Sequence, residues 1–117
     1  MPKVYAFDVD ETIEGLAGPV TLSSLLALRS EGHIIGLCGN WGAFVSAVER
    51  WHDFVSFMNV GVEKAEFLAH LARHVKAEEY VMVGNILGVS GSSDDQGAAE
   101  RAGWRFIQER DFADGVR

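Results

Sequence analysis

The stretch Val4-Tyr5-Ala6-Phe7-Asp8-Val9-Asp10-Glu11-Thr12 decides the fold, because it joins a short apolar run to two carboxylates that follow it directly. Residues 4–7 are rich in strand-forming side chains, so Asp8 is expected at the carboxyl edge of a strand. In open α/β sheets that edge is where ligands bind. A carboxylate there can bind a hard cation or attack an electrophile, and a second one two residues later can move protons. An isolated D-x-D also fits an acidic surface loop, so the rest of the chain has to distinguish the two interpretations.

Length and composition are those of one ordinary globular domain. The chain has 117 residues, of which 48% are hydrophobic and 23% are charged, which suffices for one modest core. The formal net charge of −7 argues against nonspecific binding to nucleic acid or to an anionic membrane. The single cysteine, Cys38, excludes an internal disulfide, and no apolar run approaches the length of a membrane span. A soluble cytoplasmic protein without a membrane partner is therefore expected.

Strand and helix patterns alternate along the whole chain. The strand candidates are residues 4–7, 34–37, 54–59, 80–83 and 104–107. Apolar stripes at helical spacing lie between them, around Leu22–Leu26, Trp41–Val48, Phe67–Val75 and Ala98–Ala102. This alternation predicts a single Rossmann-like three-layer α/β domain over residues 1–117, with a central parallel sheet of about five strands. Trp41 is expected in the core, residues 88–93 in a flexible loop, and residues 108–117 in a loose polar tail.

Polar residues that could bind ligands or take part in catalysis follow the predicted strands, one group after another along the chain. They are Asp8 and Asp10, then Cys38-Gly39-Asn40, then Lys64, and finally Gly84-Asn85 with Asp94-Asp95 beyond a loop. Backbone N–H groups near Gly39 can bind an anion, and the Lys64 ammonium can neutralise one. Each feature alone also fits a turn, a surface lysine or a helix cap. Around one sheet edge, they predict a site for phosphate, magnesium and two acids.

This arrangement resembles the haloacid dehalogenase (HAD) superfamily of phosphohydrolases over nearly the whole chain. Phe7-Asp8-Val9-Asp10-Glu11-Thr12 is similar to the first motif, D-x-D-x-T after an apolar strand, and Ile34-Ile35-Gly36-Leu37-Cys38-Gly39-Asn40 is similar to the second. Lys64 matches the third motif, and Val81-Met82-Val83-Gly84-Asn85 with Asp95 is similar to the fourth. The resemblance implies a Mg²⁺-dependent phosphatase in which Asp8 is the nucleophile and Asp10 the general acid/base. It also implies that Asp8, Asp10, Asn85 and Asp95 hold Mg²⁺, and that Cys38, Gly39, Asn40 and Lys64 bind the phosphoryl oxygens.

Two positions depart from the superfamily's pattern. Cys38 stands where Ser or Thr is expected, and a thiol is a weaker hydrogen-bond donor than a hydroxyl. Asn85 stands where an acid is expected, which removes one negative charge beside the metal. The long gap after Asn85 leaves Asp94 as an alternative to Asp95 for the ligand role. These departures predict weakened activity, and a noncatalytic binding or interaction module is the alternative function.

The chain leaves no room for a sizeable cap domain between its motifs. Residues 13–20 suffice for a short loop, and residues 41–63 are used by one helix and one strand. The resemblance therefore implies a capless member with an open site. Such a site indicates a large phosphorylated substrate, such as a macromolecule, or a homo-oligomer whose neighbour closes the site. The loop at 88–93 is a hypothetical small lid.

Three other interpretations fit the residues less well. A receiver-type signalling domain has its phospho-acceptor in mid-chain and its lysine last, whereas here the paired acids come first and Lys64 precedes Asp95. A cysteine phosphatase needs arginine six positions after Cys38, and that residue is Phe44. His70 and His74 lie one helical turn apart, but no further metal ligand is in evident reach.

Overall fold

A five-stranded, all-parallel sheet forms the centre of the computed structural model, which describes residues 2–117. The strands are β1 Lys3–Phe7, β2 Ile34–Leu37, β3 Phe57–Met58, β4 Glu79–Gly84 and β5 Arg105–Gln108. The helices are α1 Leu22–Ser30, α2 Trp41–Ala47, α3 Lys64–His74, α4 Asp95–Ala102 and α5 Glu109–Ala113, with a 3-10 turn at Trp51–Asp53. None of the helices within residues 2–117 is long and apolar enough to cross a membrane. The predicted α/β class with one parallel sheet is confirmed.

Strand β1 occupies the middle of the sheet order β3-β2-β1-β4-β5. Phe7 is in register with Leu37 of β2 on one side and with Val83 of β4 on the other. The chain moves outward from β1 in both directions, so the topological switch point lies at the carboxyl end of this strand. Asp8 and Asp10 follow immediately, at the position where open parallel sheets bind ligands.

Two hydrophobic clusters cover the opposite faces of the sheet. Because successive side chains of a strand point to opposite faces, Tyr5 and Phe7 join one cluster while Val4 and Ala6 join the other. The first cluster includes residues from α1, α2 and α5, and the second includes residues from α3 and α4. The sheet is therefore buried on both sides, compatible with a Rossmann-like three-layer domain.

Local signals position two helix ends. The Thr21 hydroxyl accepts a hydrogen bond from the backbone N–H of Ser24 and is the N-cap of α1. Gly103 ends α4 in the left-handed conformation that glycine adopts without strain.

Two details of the predicted layout are wrong. Strand β3 spans only Phe57–Met58 rather than residues 54–59, because the turn at Trp51–Asp53 continues into Phe54 and leaves few residues to pair with β2. Trp41 is exposed rather than in the core, because it is the first residue of α2 and lies at the rim of the sheet.

The predicted loose tail at residues 108–117 is also wrong. Gln108 ends β5, and α5 follows at once. The ring of Phe112 is fully buried, with its centroid 5.2 Å from that of Phe7 and 6.2 Å from that of Tyr5. The Arg117 guanidinium lies 3.9 Å from the centre of the same ring. The buried Phe112 ring therefore anchors this polar segment on the domain.

We expect Phe112→Ala to lower the free energy of unfolding by about 3–5 kcal/mol, because it removes a buried aromatic ring from the first cluster. Urea unfolding followed by circular dichroism measures the change. Val116→Ala, at an exposed position in the same segment, is the control and should change stability by less than about 0.5 kcal/mol. Equal effects of the two substitutions would contradict the packing described for the segment.

Candidate active site

The Asp8 carboxylate is buried at the end of the central strand. Its backbone N–H donates to Val83 O at 2.9 Å, which extends the pairing of β1 with β4 by one residue. The side chain is only 3% exposed. Oδ1 accepts a hydrogen bond from Lys64 Nζ at 3.0 Å, and Oδ2 accepts a long one from the Thr12 hydroxyl at 3.5 Å. Oδ2 is therefore the less engaged oxygen of Asp8.

Asp95 shares the Lys64 ammonium with Asp8. It is the first residue of α4 and is 0% exposed. Oδ1 accepts from Lys64 Nζ at 2.7 Å, and Oδ2 accepts from the backbone N–H of Asn85 at 2.8 Å. The neighbouring Asp94 is the exposed N-cap of α4 and accepts from the N–H of Gly97. Of the two candidate acids, the structure thus brings Asp95 to Asp8.

Burial and mutual repulsion disfavour the ionised form of Asp8. Burial, and after it the negative charge of Asp95, raise the pKa of Asp8 to about 6, although the Lys64 ammonium opposes the shift. Burial alone would lower the pKa of Lys64, but the Asp8 and Asp95 carboxylates outweigh it and raise that pKa. Lys64 is therefore charged at neutral pH, and one cation serves two buried acids.

Two glycines allow the backbone to approach these carboxylates closely. A Cβ atom at Gly39 would lie 2.3 Å from Asp8 Oδ1, and one at Gly84 would lie 2.4 Å from Asp95 Oδ2. Real Cβ atoms do not approach other heavy atoms this closely, so any larger residue at either position would displace a carboxylate. The glycines at the ends of β2 and β4 therefore belong to the site's architecture.

Asp10 lies at the exposed rim, next to the loop that follows β2. Its Oδ2 accepts from Asn40 Nδ2 at 3.1 Å, while Asn40 Oδ1 caps α2 through the N–H of Ala43. The N–H of Gly39 already donates to the Asn59 side chain at 3.0 Å. Asn59 was not predicted as a site residue, although a polar residue at the end of a predicted strand is a readable signal for one.

Three backbone N–H groups near these carboxylates have no acceptor among residues 2–117. They belong to Val9, Asp10 and Asn40. Their neighbours Glu11, Thr12 and Ile13 all donate to carbonyl oxygens of the same loop. Unpaired N–H groups that directly follow Asp8 and Gly39 in the chain are suited to the oxygens of an anion.

The Cys38 thiol lies in the second hydrophobic cluster, with Leu68 and Met82. It is fully buried, and burial raises its pKa to about 12. The thiol is therefore neutral, which excludes it as a nucleophile at neutral pH. Of the predicted phosphate-binding residues, the structure brings Lys64, Gly39 and Asn40 to the edge near Asp8 and leaves the Cys38 side chain packed in the core.

The Asn85 side chain turns toward a second buried acid, Glu109. Asn85 Nδ2 donates to Glu109 Oε2 at 3.2 Å and to the backbone oxygen of Glu11 at 3.1 Å. Glu109 is 2% exposed, and its Oε2 also accepts from the Ser90 hydroxyl at 3.1 Å. The amide thus joins the ends of β4 and β5 to the loop that carries Asp10. Glu109 was missed because it lies in the segment predicted to be a loose tail.

The chain's negative charge collects at this edge. The loops and helix starts after the five strands (residues 8–20, 38–41, 59–64, 85–95 and 108–110) carry eight carboxylates and two cations, and Arg101 reaches in to pair with Glu63. The formal charge of these segments is −6, or −5 with Arg101 included, out of −7 for the whole chain. The carboxylates are Asp8, Asp10, Glu11, Glu14, Glu63, Asp94, Asp95 and Glu109, and the two cations are Lys64 and Arg110.

The donors at this edge fit a hard divalent cation in their chemistry. Asp8 and Asp95 offer carboxylate oxygens, whereas Asn85 Oδ1, which is buried without a hydrogen-bond partner, lies against Gly91, so the predicted Asn85 ligand is not brought to the other two. Within residues 2–117, no three His, Cys, Asp or Glu side chains are grouped so that they alone could hold a metal. Mg²⁺ commonly retains several waters and takes only one or two protein carboxylates together with substrate phosphate. The oxygen-rich, anionic edge meets that requirement.

We expect Asn85→Asp to lower the free energy of unfolding by about 3 kcal/mol, because it places a second buried carboxylate against Glu109. Glu109→Gln alone should cost only about 1 kcal/mol, since the new amide oxygen can still accept from Asn85. Urea unfolding of the two single variants and the double variant forms a thermodynamic cycle. The double variant should recover about 2 kcal/mol relative to additivity, and strictly additive losses would contradict the contact.

The raised pKa of Asp8 predicts how stability depends on pH. The folded state binds the Asp8 proton more tightly than the unfolded state does, so the contribution of Asp8 to stability falls as the pH rises from about 4 through about 6. We expect the difference in unfolding free energy, wild type minus Asp8→Asn, to decrease over that range in EDTA. Urea unfolding at several pH values measures it, and the subtraction cancels the titrating groups that do not interact with Asp8. A difference that stays constant or increases would contradict the assignment.

Comparison with known proteins identifies no family for this chain. The chain matches no protein-family model, and no curated protein or solved structure is significantly similar to it. Function therefore has to be argued from the described residues themselves.

Proposed function

We propose that the protein is a Mg²⁺-dependent phosphatase of the HAD type that acts through a phosphorylated Asp8. The observation that carries the proposal is the meeting of Asp8, Lys64 and Asp95 at the carboxyl end of the central strand, with Lys64 Nζ 3.0 Å from one acid and 2.7 Å from the other. The unpaired N–H groups nearby add donors for the oxygens of a phosphoryl group.

Asp8 is the nucleophile in this proposal. Oδ2, the oxygen that Lys64 does not hold, forms a bond to phosphorus while the bond from phosphorus to the leaving oxygen breaks. Water then attacks the phosphorus of the aspartyl phosphate, which regenerates the carboxylate and releases inorganic phosphate. Dividing one displacement into two lowers the barrier of each step.

Asp10 moves the protons of both steps. It is exposed, and the Asn40 amide holds its Oδ2 at 3.1 Å, so the carboxyl group has a fixed place beside the entrance. It gives a proton to the leaving oxygen and later takes one from the attacking water. Positioned proton transfer of this kind contributes about 10²–10⁴-fold to a rate.

The negative charge at the edge favours binding of a divalent cation. Asp8, the Asp10 backbone carbonyl and Asp95 would hold Mg²⁺, which when bound neutralises part of the repulsion between the nucleophile and a phosphate dianion. Lys64 supplies the remaining positive charge and fixes the orientation of Asp8. The role of Asn85 is to restrain the Glu11 backbone, between Asp10 and Thr12, through its amide.

A noncatalytic binding module is the second candidate. One contact favours it: the Gly39 N–H, expected to bind phosphate, donates to the Asn59 side chain instead. Such a module would use the anionic edge to bind a cationic partner without turnover. The two candidates differ in whether phosphate is released.

We expect purified protein with Mg²⁺ to hydrolyse p-nitrophenyl phosphate, and Asp8→Asn and Lys64→Met to lower kcat/KM by at least about 10³-fold. Release of p-nitrophenol measures the rate, and EDTA should abolish it reversibly. Asp94→Asn is the matched control, because Asp94 caps α4 and does not contact Lys64. It should retain the wild-type rate within about threefold, which also tests the choice of Asp95.

Folding has to be separated from chemistry in these variants. Asp8→Asn keeps an acceptor for Lys64, and the raised pKa of Asp8 means that a neutral group is tolerated there. Its circular dichroism spectrum should match that of the wild type. No turnover by well-folded wild type, across phosphomonoesters and divalent metals, would reject the phosphatase and favour the binding module.

A further inference from the structure

The exposed apolar residues of the chain collect around the proposed active site. Seven large hydrophobic side chains are exposed within residues 2–117. Five of them lie on the loops or helix start at the carboxyl edge of the sheet: Trp41, Val60, Val62, Leu87 and Val89. The remaining two are Leu26 and Val116. Apolar residues concentrated at a site entrance, unlike scattered ones, indicate a surface that contacts another molecule.

These residues form two flanks on either side of the acidic centre. Trp41 follows Asn40, which contacts Asp10, and Val60 follows Asn59, which contacts Gly39. On the other side, Leu87 and Val89 belong to the loop whose Ser92 donates to the Glu11 carboxylate. Val60 is 62% exposed and Val89 is 74% exposed. An extended ligand crossing the site would therefore meet apolar surface before and after the carboxylates.

One flank also contains a shallow pocket that can take a side chain. Its volume is about 220 Å³. It lies between the loop after β3 and the side of α3, and is lined by Val60, Val62, Glu66, Phe67, His70 and Arg73. Valine and phenylalanine side chains provide its apolar wall.

The negative charge at the same edge indicates which class of ligand can bind there. With Arg101 included, the edge carries −5, whereas the opposite edge (residues 2–3, 31–33, 49–56, 75–79 and 103–105) carries five carboxylates and four cations, a formal −1. Asp10, Glu11 and Glu14 have no cationic partner within the described part of the chain. This field repels nucleic acid and anionic lipid, and it attracts lysine and arginine. Two copies facing each other would bring −5 against −5.

We propose that the edge docks a basic, partly apolar polypeptide segment, and that the substrate is a phosphorylated side chain within it. The two flanks contact large apolar residues before and after the phosphorylated residue, and the rim carboxylates pair with its lysine and arginine neighbours. The proposal rests on the phosphatase function proposed above. It assigns the substrate class, a phosphoprotein segment, in preference to a small phosphorylated metabolite, which would leave both flanks unused.

Two phosphopeptides of equal length test the preference. One carries arginine and leucine around the phosphorylated residue, and the other carries glutamate and serine at the same places. We expect kcat/KM to be at least about tenfold higher for the basic, apolar peptide, and the preference to shrink as NaCl is raised from about 50 to 500 mM, because salt screens exposed charges. Equal rates for the two peptides, or faster hydrolysis of a 5′-phosphorylated oligonucleotide, would overturn the proposal.

Matched substitutions locate the docking surface. Val60→Ser, Val89→Ser and Glu14→Gln should each lower the ratio of kcat/KM for the basic peptide to that for p-nitrophenyl phosphate by about three- to tenfold. Glu14→Gln keeps the oxygen that accepts from the N–H of Leu22, so it removes only the charge. Leu26→Ser on α1 and Glu31→Gln at the opposite edge are the controls. Rim variants that behave like these controls would overturn the proposed surface.

Binding of the unphosphorylated basic peptide, measured by fluorescence anisotropy with Mg²⁺ present, separates this proposal from the phosphatase. Peptide binding without turnover of any phosphomonoester would reject the phosphatase and, with it, the substrate assignment, while supporting the docking surface. Turnover of p-nitrophenyl phosphate without any preference between the peptides would reject the docking surface and leave the phosphatase standing.

Discussion

The carboxyl edge of the sheet depends on the two ion pairs that the Lys64 ammonium forms with Asp8 and Asp95. This ammonium is the one cation in contact with both Asp8 and Asp95 within the described residues, and those acids come from opposite ends of the chain. At an effective dielectric constant of about 20, two unit charges 4 Å apart interact by about 4 kcal/mol, so loss of the cation would leave the two buried acids uncompensated. The close packing of Gly39 and Gly84 follows from the same constraint, because it allows both carboxylates to reach a single ammonium.

The contact between Asn85 and Glu109 explains why position 85, at the end of β4 beside Asp8 and Asp95, is not an acid. Glu109 is buried at the end of β5, and the groups around Asn85 Nδ2 are the Glu109 carboxylate and a backbone oxygen, both acceptors. Only a donor fits between them. The amide at position 85 therefore follows from the acid at position 109, and the two together restrain the backbone between Asp10 and Thr12. Asn85 stands where the fourth motif has an acid, and in the structure its amide is part of a hydrogen-bond network.

The sequence predicts the fold and the edge of the site well, because both follow from patterns along the chain. Apolar runs separated by helical stripes require a parallel sheet, and the carboxyl ends of parallel strands meet at one edge. Side-chain direction at that edge is harder to predict. Cys38 continues the alternation of β2, so its thiol faces the second cluster after Leu37 faces the first, and strand periodicity contains this information. The contact between Asn85 and Glu109 depends on how α5 packs, which rests on Phe112, one aromatic residue in a polar segment.

The energetics of Asp8 bear on the choice between the two proposed functions. Its charge costs stability at neutral pH, because burial and Asp95 raise its pKa to about 6 while Lys64 compensates only in part. An asparagine at position 8 could accept the same hydrogen bond from Lys64 without that cost, and a surface that only docks a cationic partner has exposed acids at its rim for the purpose. Asp8 is instead a buried carboxylate with one less engaged oxygen, and it contacts an ammonium group. Negative charge, a fixed direction and nearby N–H donors for the attacked group are the features that a nucleophile needs. The cost in stability is therefore consistent with the role of Asp8 as the nucleophile proposed above.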